Sequence, residues 1–106
     1  METRIETRLH EIYYGIIAYG RTTYQWFGIV DFAGLAASAI NYLILYGDIM
    51  VSDKRKCSKK MVEYFNRDIG STMTQWVIDS IVDYMMNLTA IDSRIGGILA
   101  AVDMAR

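Results

Sequence analysis

Apolar positions recur at helical spacing along almost the whole chain, and the alternation expected of strands is hardly visible. Ile5, Leu9, Ile12, Tyr13 and Ile16 fall on one helical face. Arg4, Glu6, Arg8 and Glu11 lie mostly off it, so residues 5–19 read as an amphipathic helix. Thr3 and Glu6 have capping-box spacing at its start, and Gly20 is a natural stop because it accepts left-handed backbone. Residues 24–46 are apolar nearly all round, as expected of a helix at the centre of a bundle. Thr22 or Thr23 can cap this helix, Gly28 and Gly34 can kink it, and Gly47 ends it. Its small residues Ala33, Gly34, Ala36, Ala37 and Ala39 invite a neighbouring helix to approach closely.

The segment SDKRKCS, residues 52–58, reads as an exposed charged loop. Residues 59–68 form a short amphipathic helix with Met61, Val62, Tyr64 and Phe65 inward. Gly70 punctuates it, and Ser71 can cap the next helix, residues 72–88. That helix spaces Met73, Trp76, Val77, Ser80, Ile81, Tyr84 and Leu88 along one side. Asp92 or Ser93 caps a last helix, residues 94–105, with Ile95, Ile98, Leu99 and Val102 inward. The expected fold is all-α: one domain, a compact bundle of five to six helices with short loops.

Composition sharpens this picture. Of 106 residues, 53% are hydrophobic and 22% charged, which supplies one modest core and argues against intrinsic disorder. That apolar share is rich for so small a surface and points to self-association, with eight tyrosines available for interfaces. A net charge of −1 gives no overall attraction to nucleic acid or acidic membranes. The single Cys excludes an internal disulfide framework and fits a reducing, cytoplasmic setting. The charged opening METRIETRLHE does not read as a secretory signal. Residues 24–50 are long enough to span a bilayer. Asp31, Gln25, Ser38 and Asn41 argue against an integral span, leaving at most peripheral contact.

Residues that could carry chemistry lack the partners it needs. His10 is the only histidine and has no second ligand at helical spacing, so it reads as an exposed helix residue rather than a metal ligand. Cys57 sits among Lys54, Arg55, Lys56 and Lys59, a field that lowers a thiol pKa, but no histidine serves it as a base. It reads as an incidental surface cysteine. The five basic residues between Lys54 and Lys60 suit phosphates or anionic headgroups, yet no aromatic residue interleaves with them; a solvated loop is the simpler reading. Asp79 and Asp83 lack an accompanying Glu-x-x-His, and Gly96-Gly97 precedes no Lys-Ser/Thr pair. No catalytic residue, metal or cofactor is expected.

One pattern is informative. Ala39, Leu43, Tyr46 and Met50 are spaced 4, 3 and 4, a single helical stripe, with Gly47 and Asp48 between the last two. This resembles the third homology motif of the Bcl-2 family of apoptosis regulators, in which four apolar residues enter a groove and the Asp meets a basic partner. Tyr24-Gln25-Trp26 after the opening helix is similar to the Tyr-x-Trp close of that family's first helix. Val62-Glu63-Tyr64-Phe65, then Arg67-Asp68 and Gly70, looks like the acidic-aromatic stretch before its central helix. The length resembles that of compact members from large DNA viruses.

Thr74-Gln75-Trp76-Val77 then stands where the family's central helix usually opens with Asn-Trp-Gly-Arg, keeping only the Trp. A rival alignment makes Trp26-Phe27-Gly28-Ile29-Val30 that opening and puts Trp76-Val77-Ile78 in the second homology motif. Under the first alignment the resemblance implies a groove drawing on Tyr46, Met50, Met61, Tyr64, Phe65, Trp76 and Val77. It implies a pro-apoptotic helix as ligand, inhibition of cell death in a host cytoplasm, and no cofactor. Two readings from the residues stand beside it. Residues 39–50 can be the buried end of a core helix, with Gly47 as its cap and Asp48 exposed. The whole chain can be a helical homo-oligomer with a structural or adaptor role.

Overall fold

Helix α1 (Arg4–Thr23) begins at Thr3, whose hydroxyl oxygen accepts from the Glu6 amide at 3.1 Å and donates to the Glu6 carboxylate at 3.1 Å. The start expected from the sequence is therefore present, but the stop at Gly20 is not: the helix runs on through it. The computed structural model describes residues 3–23, 28–70 and 73–105. Within them the chain forms α1, α2 (Ile29–Leu45), a single 3-10 turn (Val51–Asp53), α3 (Lys54–Ile69), α4 (Gln75–Asn87) and α5 (Ile95–Met104), with no strand. The capping and alignment expectations that fall on Tyr24, Gln25, Trp26, Phe27 and Ser71 lie outside the described residues. The radius of gyration is 12.8 Å, against about 13 Å for a folded chain of this length.

Helix α2 is the centre of the bundle. Phe32, Ala33, Leu35, Ala36, Ala37, Ala39, Ile40 and Leu43 are all buried, and α1, α3, α4 and α5 each pack against it. The alanines permit this, because a methyl-sized side chain lets four neighbours close in. Gly34 differs, since a Cβ there would meet no atom within 4 Å. The helix closes at Gly47, whose φ of +81° suits glycine. The Asp48 amide returns to the Leu43 carbonyl at 2.8 Å and the Gly47 amide to Ile44 at 3.1 Å, the two bonds of a Schellman closure.

The expected exposed loop at residues 52–58 is instead the 3-10 turn and the first turn and more of α3. Lys54, Cys57 and Ser58 are buried in phase with Met61, Val62, Tyr64 and Phe65. Lys54 reaches the end of α4, where its Nζ donates to the carbonyls of Leu88 (2.8 Å) and Met86 (3.3 Å). A cation there satisfies orphan carbonyls and the negative end of the helix dipole. From α2, Asn41 Nδ2 donates to Leu88 O (2.9 Å) and Ala90 O (3.2 Å), while Ser38 Oγ accepts from the Asp92 amide (3.1 Å). Buried polar groups thus fasten the α4–α5 connection to α2 and α3. Asp92 holds the turn into α5 by accepting from the Arg94 amide at 2.9 Å.

Contacts along the seam fix α1 on α3, among them Glu6 with Lys60 (3.7 Å), His10 stacked on Tyr64 (ring centroids 4.0 Å) and Tyr13 Oη donating to Asp68 (2.5 Å). Each step advances about one turn on both helices, so α1 and α3 lie parallel. Phe32 joins them from α2, with Phe65 at 4.7 Å and Tyr13 at 5.6 Å between ring centroids. By the same logic α3 and α4 are antiparallel, with Arg55 on Asp83 (3.0 Å) at one end and the Met73 amide on Asn66 Oδ1 (3.3 Å) at the other.

Candidate functional site

Helices α1 and α5 run antiparallel, tied at one end by Arg8 and Asp103 (2.8 Å) and at the other by Arg94 over the Tyr19 ring (6.0 Å). They approach closely at Gly15. A Cβ on Gly15 would stand 2.3 Å from Val102 Cγ2, so only glycine admits this approach. An open groove of about 900 Å³ follows this contact. Helix α1 lines it with Glu11, Tyr14, Gly15, Ala18, Tyr19 and Thr22. Arg94, Gly97, Ile98, Ala101, Val102 and Ala105 line it from α5 and its flanks.

Five of these side chains are glycine or alanine, which leaves the space of the groove unfilled, and the walls are apolar. Among the described lining residues, charge appears only at the ends. Glu11 stands toward the Arg8–Asp103 end, and Arg94 at the other is held by Asp92 through Nε (2.9 Å) and Nη2 (2.6 Å). Those bonds bring the Asp92 carboxyl down to about 2 and push the Arg94 guanidinium up. From Glu11 to Thr22 the groove follows α1 for about three turns at 1.5 Å per residue. That is room for a short amphipathic helix, the geometry of helix-in-groove recognition.

The residues expected to form a groove do not come together. Met61, Tyr64 and Phe65 are in the core against α1 and α2, and Val77 is half-buried. Tyr46, Met50 and Trp76 are exposed, but at opposite ends of α3. Tyr46 and Met50 precede its first turn, whereas Trp76 opens α4 beside its last. The 16 residues of α3 put roughly 24 Å between these ends. The stripe of Ala39, Leu43, Tyr46 and Met50 also divides: Ala39 and Leu43 face the core, α2 stops at Leu45, and Tyr46 and Met50 lie beyond it. Gly47 acts as the helix closure and Asp48 is exposed.

The expected surface cysteine is also corrected. Cys57 is 1% exposed, and burial pushes its thiol up, against the lysine field. Of the basic run, Lys54 is committed to α4, Arg55 to Asp83 and Lys60 to Glu6. His10 is half-buried on Tyr64 rather than fully exposed. Among the described residues no group of three or more His, Cys, Asp or Glu side chains is placed to hold a metal ion, and no helix is long and apolar enough to cross a membrane.

The signal for the α1–α5 groove lies in small residues at helical spacing, Gly15 and Ala18 on one helix and Gly97, Ala101 and Ala105 on the other. Compared with known proteins, the chain matches no protein family, and no curated protein or solved structure gives a significant match.

Proposed function

We propose that this protein is a helical binding module that takes an amphipathic helix in the groove between α1 and α5. The observation that carries the reading is the groove itself: open, apolar along its walls, floored by small residues, and, among the described residues, charged only at its ends. Helix α2 packs against both α1 and α5, and α3 against α1, so the site rests on packed elements rather than loops. The resemblance around Tyr46-Gly47-Asp48 supplies the class of ligand to try first, a pro-apoptotic death-motif helix, whose capture would inhibit cell death.

Titration calorimetry with a panel of such peptides tests this, together with Gly97→Leu. A Cβ at Gly97 would meet no neighbour within 4 Å, so a leucine there can start into the groove without a clash at its root, and an unchanged melting curve checks that the core is kept. Binding by the native protein, weakened at least tenfold by Gly97→Leu, is the expected result. Binding that Gly97→Leu leaves unchanged would move the site elsewhere. No heat with any amphipathic peptide, combined with a concentration-dependent assembly state, would favour the homo-oligomer.

A further inference from the structure

Helix α5 forms one wall of the groove, yet its own side chains hold it lightly. Of its ten residues, Ile95, Ile98 and Leu99 are buried, and the rest are exposed or half-buried. It packs on α1 and α2. Three buried side chains on one short helix leave its tilt and roll weakly specified. What precedes α5 therefore matters. Residues 88–92 belong to no helix and deliver the chain to Arg94 and then Ile95.

Two elements grip this connection. From α3, the Lys54 ammonium donates to Leu88 O (2.8 Å) and Met86 O (3.3 Å). From α2, Asn41 Nδ2 donates to Leu88 O (2.9 Å) and Ala90 O (3.2 Å), and Ser38 Oγ accepts from the Asp92 amide (3.1 Å). Lys54 and Ser38 are buried. Buried donors and acceptors are directional and costly to leave unmade, so together they give the connection one position. Beyond Asp92 the bonds continue. Its carboxylate accepts from the Arg94 amide (2.9 Å), Nε (2.9 Å) and Nη2 (2.6 Å), and the Arg94 guanidinium lies 6.0 Å over the Tyr19 ring. Arg94 and Tyr19 both line the groove. An unbroken line of polar contacts thus runs from the first turn of α3 to one end of the groove.

We propose that Lys54, Asn41 and Ser38 are positioning residues for the α1–α5 groove: through the α4–α5 connection they hold Arg94 against Tyr19 and set where the α5 wall begins. Their role in binding rests on that groove being the site, whereas their role in its geometry does not. None of the three lines the groove, so each reaches it only through the connection. Arg94 stands immediately before Ile95, so a displacement of Asp92 moves the guanidinium and the first turn of α5 together. A binding site is held to a fraction of an ångström by supporting bonds of this kind, and it loosens when they are removed.

Nuclear magnetic resonance on the whole protein tests this, with Lys54→Met and Ser38→Ala compared against Val62→Ala. Val62 is buried in α3 and makes no bond to the connection, so its truncation reports loss of stability alone. Lys54→Met and Ser38→Ala should each shift the Tyr19 ring and Arg94 Nε–H signals and weaken the nuclear Overhauser contact between the two side chains. Val62→Ala should leave those signals in place while lowering the melting temperature. Ser38→Ala removes a single hydroxyl and carries the test by itself if Lys54→Met does not fold. Any amphipathic peptide that the native protein binds should bind several-fold more weakly to the folded Lys54→Met and Ser38→Ala variants, and with unchanged affinity to Val62→Ala. If the native protein binds no such peptide, the groove fails as a binding site, and the Tyr19 and Arg94 signals still decide whether these residues position it. Signals that stay put in the folded variants, or that move equally in Val62→Ala, overturn the proposal.

Discussion

At the scale of single residues, two glycines on helices lining the same groove have opposite meanings. Gly15 is a close contact point of α1 with α5, and a methyl group there collides with Val102. Gly15→Ala should destabilise the protein by about 1–3 kcal/mol, as overpacking does, despite the better helix propensity of alanine. Gly97 has open space where a Cβ would go. Gly97→Ala should therefore stabilise by up to ~0.5–1 kcal/mol. Denaturant melts of the two variants check the contrast. Asp92 gives a pH test. Its hydrogen bonds from Arg94 hold its carboxyl at about 2, below the ordinary 3.8. A depressed folded-state value gives stability that is present above 3.8 and lost as pH falls through about 2. Asp92→Asn should flatten the stability profile in that acid window and leave the neutral range without this slope.

Among the elements, α3 shows what sequence patterning reveals and what it conceals. Its second half was legible because Met61, Val62, Tyr64 and Phe65 keep helical spacing. Its first half was not, because the inner face there is Lys54, Cys57 and Ser58, two polar residues and a small thiol within a charged run. Lys54 faces inward because its acceptors are carbonyls at the end of α4, more than thirty residues later. No local pattern announces such a partner. Lys54→Met keeps the stem but abandons those carbonyls, and should cost about 1.5–3 kcal/mol. Hydrogen exchange should quicken in the α4–α5 connection more than in α1, since α1 makes none of these bonds. In α2 the reverse holds: an apolar run with small residues marked the central helix directly, and Gly47 marked its end. The stripe read beyond that end failed because period alone says nothing about where a helix closes.

For the whole molecule, the all-helical bundle with a buried second helix followed from periodicity, whereas the groove did not. The groove depends on Gly15 meeting Val102 across 87 residues of sequence, a pairing set by the bundle's assembly. The same distance explains why residues chosen from one continuous stretch, Tyr46 to Val77, scatter between the core and the two ends of α3. A binding surface made by the first and last helices is beyond the reach of a local motif.

The parallel seating of α1 on α3 bears on the order in which the chain folds. Glu6, His10 and Tyr13 find their partners 54 or 55 positions later, so the seam closes a long loop before any of its contacts form. The antiparallel α3–α4 pair needs a much shorter closure and is the natural nucleus, with α1 docking late. Tyr13→Phe, which removes the bond to Asp68, should then speed unfolding while barely slowing refolding. Stopped-flow chevrons would show it: a change carried mainly by the refolding limb would place α1 in the nucleus instead. In a chain emerging from the ribosome, α1 would wait unfastened until the residues of α3 appear, leaving its Leu9–Ile12–Ile16 face open to a chaperone in the meantime.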